Sequence, residues 1–192
     1  MRKTLAAAAL ALLALANAAA APAWDVTAGF LAGPRTASDE TIKRIYGGGT
    51  VYSPFLAVGL WRGFRLGAAY EWGYSPTGVI GLYDEPTSLE VSGVEVFAGY
   101  WFKFDLLSLY LRGGWGNYAY LQTVDSPVAR NYPVEDRTQT VVAAAGLNVY
   151  LLERLYLCGE VKYVPLKVKP YETEVDLGGW RYLIGIGYTA RF

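Results

Sequence analysis

The sequence contains no histidine and a single cysteine, Cys158. Without histidine the usual base for activating a serine hydroxyl near neutral pH is missing. No Ser-x-x-Lys spacing supplies lysine instead, so Ser75, Ser88, Ser108 and Ser126 read as loop and turn residues. Zinc sites built from His and Cys cannot be assembled, and one cysteine allows no intrachain disulfide. Gly47-Gly48-Gly49 is not followed by Lys-Ser or Lys-Thr, so there is no phosphate-cradling loop. Beyond the N-terminal segment no apolar run approaches the roughly 20 residues of a helical membrane span. Charge is balanced, with 17 basic and 17 acidic groups. That balance excludes binding of nucleic acid through bulk positive charge. These absences predict a non-enzymatic chain with no cofactor and no bound metal.

The N-terminus carries a clear address. Met1-Arg2-Lys3 is followed by an Ala/Leu run to Leu15 and by small residues as far as Ala23. A charged start, a short apolar stretch and an A-x-A-like zone predict a cleaved signal peptide over 1–23, leaving 24–192 as one domain. Loss of Arg2 and Lys3 takes the 17 basic groups to 15 against 17 acidic ones, a net charge near −2.

The rest of the chain is patterned with a period of two. From Gly179 to Phe192 the even positions are Trp180, Tyr182, Ile184, Ile186, Tyr188, Ala190 and Phe192. The odd positions are small or charged, apart from Leu183 and Thr189. Such alternation predicts a strand with one apolar face. Eight strands are expected, near 24–33, 47–60, 64–74, 89–102, 107–120, 138–151, 155–164 and 179–192. Their joins alternate between short turns and long polar loops at 34–46, 75–88, 121–137 and 165–178. That is the rhythm of an antiparallel up-and-down transmembrane β-barrel. Pro54 predicts a bulge or bend in the second strand. Aromatics group at strand ends: Trp61, Phe64, Tyr100, Phe102, Tyr150, Tyr188 and Phe192 at one rim, Trp72, Tyr74, Trp115, Tyr120, Tyr163, Trp180 and Tyr182 at the other. Amphipathic rings favour a membrane interface. The period alone does not say which face is wet, so a soluble barrel with an aromatic core is the competing fold.

Strand phase then places charges. Arg65, Arg112, Lys162 and Arg181 are expected inside, with Glu71, Glu95 and Glu160. Charges in a narrow barrel must pair or keep water. They form either a polar gate or, since eight strands enclose just enough room for side chains, a packed structural core. Inward glycines such as Gly67, Gly73, Gly99, Gly146 and Gly187 leave room for Phe97, Trp101 and Tyr110, and Cys158 reads as an inward filler. The outer loops each carry carboxylates (Asp39 and Glu40, Asp84 and Glu85, Glu135 and Asp136, Glu172, Glu174 and Asp176), without EF-hand spacing. Grouped carboxylates can hold Ca²⁺ or Mg²⁺, but without that spacing they read first as solvated loop charges. Lys43, Arg44, Arg130, Arg137, Lys167 and Lys169 could meet lipid phosphates.

With the signal peptide, eight strands and terminal aromatic in view, the chain resembles the small outer-membrane β-barrel superfamily of the OmpA transmembrane domain and the OmpX-like and OmpW-like proteins. The resemblance spans the whole mature chain and rests on pattern. Its most specific element is the C-terminal assembly signal, for which Gly187, Tyr188 and Phe192 stand here; Gly185 and Ala190 depart from the family pattern. The resemblance implies the outer membrane of a Gram-negative-type bacterium, insertion by the barrel-assembly machinery, contact with outer-membrane lipid such as lipopolysaccharide, and a monomer. The expected role is structural or surface contact. The alternative is an OmpW-like, porin-like narrow conduit for small, hydrophobic solutes.

Overall fold

The computed structural model describes residues 24–61, 63–80, 84–125, 132–169 and 175–191, with only the backbone at 74–77 and 132. The 1–23 segment, Glu172, Glu174, the Tyr74 side chain and Phe192 therefore lie outside the described residues.

Eight long strands close into one antiparallel barrel. They are β1 (Asp25–Ala37), β2 (Gly49–Trp61), β3 (Phe64–Ile80), β4 (Glu85–Lys103), β5 (Leu107–Val124), β6 (Tyr132–Tyr150), β7 (Leu155–Val164) and β10 (Gly179–Arg191). Each pairs with its neighbour in sequence, β7 pairs with β10, and β10 returns to β1, so no long strand is left as an edge over the barrel wall. A short helix, α1 (Glu40–Tyr46), joins β1 to β2. A two-stranded ribbon, β8 (Lys167–Val168) with β9 (Val175–Asp176), lies between β7 and β10.

The period of two in the sequence becomes two faces. In β10, Trp180, Tyr182, Ile184, Ile186 and Tyr188 point outward and Arg181, Leu183, Gly187 and Thr189 point into the lumen. Ile184 is 75% exposed, the highest value among the large apolar side chains described. The outward face stays apolar around the ring through Leu66, Val94, Val96, Leu109, Leu111, Val141, Leu147, Leu157 and Val161. Aromatic groups border it: Phe30, Tyr52, Tyr70 and Trp72 form one contact cluster and Tyr163 packs on Trp180.

Glycine sets how the lumen fills. A Cβ on Gly67 would strike the Phe97 ring, one on Gly146 the Tyr110 ring, and one on Gly187 the Tyr156 ring. Each glycine stands directly opposite that aromatic on the adjacent strand. The bare backbone is the seat on which the ring lies.

Four expectations need correction. The regions 75–88 and 121–137 are mainly strand: β3 runs on to Ile80, β4 starts at Glu85, β5 reaches Val124 and β6 starts at Tyr132. Their alternation continues past the apolar band with polar groups outward, so it lacks the greasy signature used to find strands. The region 34–46 contains the end of β1 and then α1. That helix has local causes: Asp39 Oδ1 accepts from the Thr41 and Ile42 amides, Glu40 lies in the first turn, Lys43 and Arg44 in the last, and Gly47 closes it at φ 63°. Pro54 causes no slip, because β2 keeps the same register to β3 on both sides of it; the shift falls between Gly59 and Trp61. Tyr120 and Tyr150, expected at opposite rims of the membrane interface, both turn inward. Tyr120 is buried inside, and Tyr150 packs on Tyr156.

Candidate functional site in the lumen and on the protruding sheet

The seven charged residues singled out above fall on β3, β4, β5, β7 and β10, and all are buried. Six of them alternate in sign along a ladder. Arg181 Nε donates to Glu71 Oε1 at 2.7 Å, and Lys162 Nζ bonds both Glu71 and Glu95, the latter at 2.8 Å. Arg112 faces Glu95 at 3.6 Å and donates to both oxygens of Glu160, at 2.7 and 2.6 Å. The hydroxyls of Tyr118 and Tyr110 donate to Glu95 and Glu160. Within these six residues three cations meet three carboxylates, so each desolvated charge of the ladder has an opposite neighbour; Arg35 of β1 is a further buried cation near Glu71 and Arg181. In the ring of eight strands β7 and β3 stand opposite each other. The Lys162–Glu71 pair therefore crosses the full bore.

The seventh residue, Arg65, lies apart, toward the short-turn end. It donates to Asp25 Oδ2 and to Thr27 Oγ1, both at 2.9 Å, and stacks over Trp101 at 5.2 Å. Lys103 approaches the same Asp25 carboxylate at 3.6 Å. A side chain at Gly59 would collide with that carboxylate, so Gly59 makes its room. Between this cluster and the ladder is a void of about 10 Å³ lined by Thr27, Phe55, Arg65, Trp101, Asn148 and Tyr156, among others. That is space for about one water.

The far end is closed by apolar side chains. Ile42, Ile45 and Tyr46 of α1 pack with Leu166, Val168, Val175 and Leu177 from the β8–β9 segment, over Leu89, Val91, Tyr118, Tyr120 and Val142 of the wall. Tyr46 also ties α1 to β4 and β5. The Thr87 hydroxyl donates to the Thr123 carbonyl, so Tyr46 donates to Thr87 Oγ1 at 3.0 Å and accepts from Gln122 at 2.7 Å. Burial raises the Tyr46 phenol above its ordinary pKa and keeps it a donor.

Beyond the apolar band, β3–β6 continue as a protruding sheet. From the border row of Val94, Asn117 and Gln139 its outward rows read Ser92, Ala119 and Arg137, then Glu90, Leu121 and Glu135. β7 pairs with β6 only from Ala143 to Tyr150. Among the described residues no strand pairs with the Tyr132–Val142 side of β6, although the 165–168 segment packs beside it: Thr140 donates to the Pro165 carbonyl, and Val134 packs in the cluster with Leu166 and Val168.

Three participants escaped sequence reasoning. Asp25 and Arg35 lie in phase with the inward residues of β1; Asp25 falls inside the expected strand 24–33 without being singled out as a lumen charge, and Arg35 lies beyond its end. Tyr118 has the right phase in β5 and was passed over because it is uncharged. Of the loop carboxylates, Asp39, Asp136 and Asp176 accept backbone amides. Of the proposed assembly residues, Gly187 faces Tyr156 and Tyr188 lies outward at the short-turn rim.

This geometry has solved counterparts. The N-terminal β-barrel domain of Pseudomonas aeruginosa OprF superposes with a TM-score of 0.54 at 13% identity, covering 88% of this chain and 98% of that one. The chain has the fold of the small outer-membrane β-barrels. The attachment invasion locus protein Ail of Yersinia pestis matches with a TM-score of 0.56 at 13% identity, over 88% of this chain and 100% of that one. The outer membrane protein OprG of P. aeruginosa matches with 0.52 at 12% identity, over 92% and 99%. No family model and no curated relative matches the sequence.

Proposed function

We propose that this chain is a non-enzymatic integral outer-membrane protein whose barrel is a closed anchor and whose working surface is the protruding β3–β6 sheet. The supporting observation is the length of those four strands beyond the apolar band, with the Tyr132–Val142 side of β6 left without a strand partner among the described residues. A sheet raised above a membrane, with one side lacking a strand partner, can contact other molecules through its outward side chains and any backbone groups left free. The similar barrel Ail is an attachment protein by name and has been crystallised with the heparin analogue sucrose octasulfate.

The membrane part of the reading rests on the apolar band. From Trp180 to Ala190 the outward ladder covers about 34 Å of strand at ~3.4 Å per residue. At a tilt near 40° that is a height of roughly 25 Å, which suits an outer-membrane bilayer. The segment 1–23 then directs export, and Gly187, Tyr188 and Phe192 supply the signal for the barrel-assembly machinery. The short turns face the periplasm, the sheet meets lipopolysaccharide, and the protein works as a monomer.

The narrow-conduit reading is opposed by the ladder across the bore, the void of about 10 Å³ and the apolar cover at the long-loop end. The test uses two forms of the protein. One is intact; in the other Gly73 is joined to Val91 and Asn117 to Gln139 by short turns, which removes the sheet. Both should insert and show no steady conductance in planar bilayers. Only cells displaying the intact form should autoaggregate or adhere to immobilised glycan and matrix surfaces. Equal behaviour of the two would refute the surface role, and steady conductance of the intact form would favour the conduit.

A further inference from the structure

The outward wall has a dent where β6, β7, β10 and β1 run side by side. Its centre is Gly159 of β7, at an outward position where the neighbours in phase are Leu157 and Val161. A Cβ built there meets nothing within 4 Å. Gly159 stands opposite Leu147 on β6 and Ile184 on β10. Phe30, Ile184 and Ile186 form one wall of the groove and Leu147, Val149 and Leu157 the other, around an almost wholly apolar space of about 560 Å³ open to the surroundings.

From the groove the β7–β10 seam runs on to a cation. Gly159 pairs with Ile184, then Leu157 with Ile186, then Leu155 with Tyr188. At the end of that line is Arg154, in the short turn before β7, where its backbone carbonyl accepts from the Thr189 amide. The Arg154 guanidinium is fully exposed and interacts with the Tyr188 phenol. From Gly159 to Arg154 is five residues, about 17 Å of strand at ~3.4 Å per residue. That is the length of one phospholipid acyl chain. The groove lies within the apolar band, and Arg154 lies farther along the seam, at the band's short-turn border.

We propose that this seam is a binding site for one glycerophospholipid of the leaflet on the short-turn side. One acyl chain lies in the Gly159 groove and the headgroup phosphate rests on Arg154 beside Tyr188. Length, shape and charge agree on this occupant. The missing side chain at Gly159 admits a chain between Ile184 and Leu147, and an exposed arginine near a phenol at the polar border presents a planar donor fork to phosphate. A diacyl lipid without phosphate would fill the groove but leave Arg154 unused. The inference rests on the membrane-spanning reading.

The test is native mass spectrometry of the folded mature protein released from detergent with palmitoyl-oleoyl-phosphatidylglycerol, beside the diacylglycerol with the same chains. The wild type should keep one phosphatidylglycerol and lose the diacylglycerol. Gly159→Leu should fill the groove and Arg154→Gln should remove the phosphate contact, each weakening retention by about tenfold, the effect of losing roughly 1.4 kcal/mol. Ala68→Leu, on the far wall, should bind as the wild type does. Equal retention by the wild type, Gly159→Leu and Arg154→Gln, or equal retention of the lipid lacking phosphate, would overturn the site. Co-flotation of the same samples with vesicles reads membrane insertion separately. Insertion with equal retention rejects the lipid site alone, whereas failure to insert rejects the membrane reading beneath it.

Discussion

Removing the Glu95 carboxylate should destabilise the barrel through charge rather than volume. Glu95 is 1% exposed and takes Lys162 at 2.8 Å, Arg112 at 3.6 Å and the Tyr118 hydroxyl. At an effective dielectric near 20 each cation attracts it by about 4–6 kcal/mol, and several kcal/mol of this offsets its desolvation. Glu95→Ala leaves three buried cations facing two carboxylates, with Lys162 and Arg112 no longer separated by a negative group. The expected loss is ~3–5 kcal/mol. Glu95→Gln keeps an acceptor for Lys162 and should lose less, about 1–3 kcal/mol. Adding Lys162→Met to Glu95→Gln restores neutrality, so the double variant should be more stable than the sum of the singles by at least ~2 kcal/mol. The assay is urea unfolding in lipid vesicles, followed by tryptophan fluorescence and by the heat-modifiable gel shift. With a slope near 2 kcal/mol per molar, Glu95→Ala should lower the midpoint by about 1.5–2.5 M. A loss under about 1 kcal/mol, or strict additivity in the double variant, would refute the view that the ladder is a coupled, dry network.

Gly146→Val drives a side chain into the Tyr110 ring and should cost about 1–3 kcal/mol by overpacking, with partial recovery when Tyr110→Ala is added; both are read from the urea midpoint. Asp39→Ala removes the cap of α1 and should cost about 1 kcal/mol locally, seen as faster amide exchange in 40–46 with the barrel midpoint unchanged. Val96→Lys should destabilise the protein by ~2–4 kcal/mol in bilayers, whereas Glu90→Lys, two rows beyond the apolar band on the same strand, should shift the midpoint little.

The barrel was legible because its alternation is coupled to burial on one side and apolar exposure on the other. Leu155 to Val164 and Gly179 to Arg191 show this in nearly every residue, and their bounds were read to within a residue. The phase of Glu71, Glu95, Arg112, Glu160, Lys162 and Arg181 followed from the same period. Their pairing did not, because it depends on which strands face each other across the bore and on the shear of the ring. The protruding sheet was missed for a physical reason. Ser88, Glu90 and Ser92 alternate with Leu89 and Val91, and outside the apolar band an outward polar residue resembles a loop residue. The apolar cover of α1 and the β8–β9 segment was not legible because its parts are short. Seven residues of helix and two-residue strands carry little periodicity, although Asp39, Glu40, Lys43, Arg44 and Gly47 together spelled out helix ends.

The central claim is that the ladder Trp180, Tyr182, Ile184, Ile186 and Tyr188 meets lipid while the alternate positions face a closed lumen. Spin labels placed one at a time along 180–189 in a Cys158→Ala background, in bilayers, test it through accessibility to oxygen and to a water-soluble nickel chelate. Oxygen accessibility should rise and fall with a period of two, peaking at Ile184, with low nickel accessibility at both the outward positions and the lumen positions of the band. High nickel accessibility at Ile184 would show that this face is wet and would contradict the account.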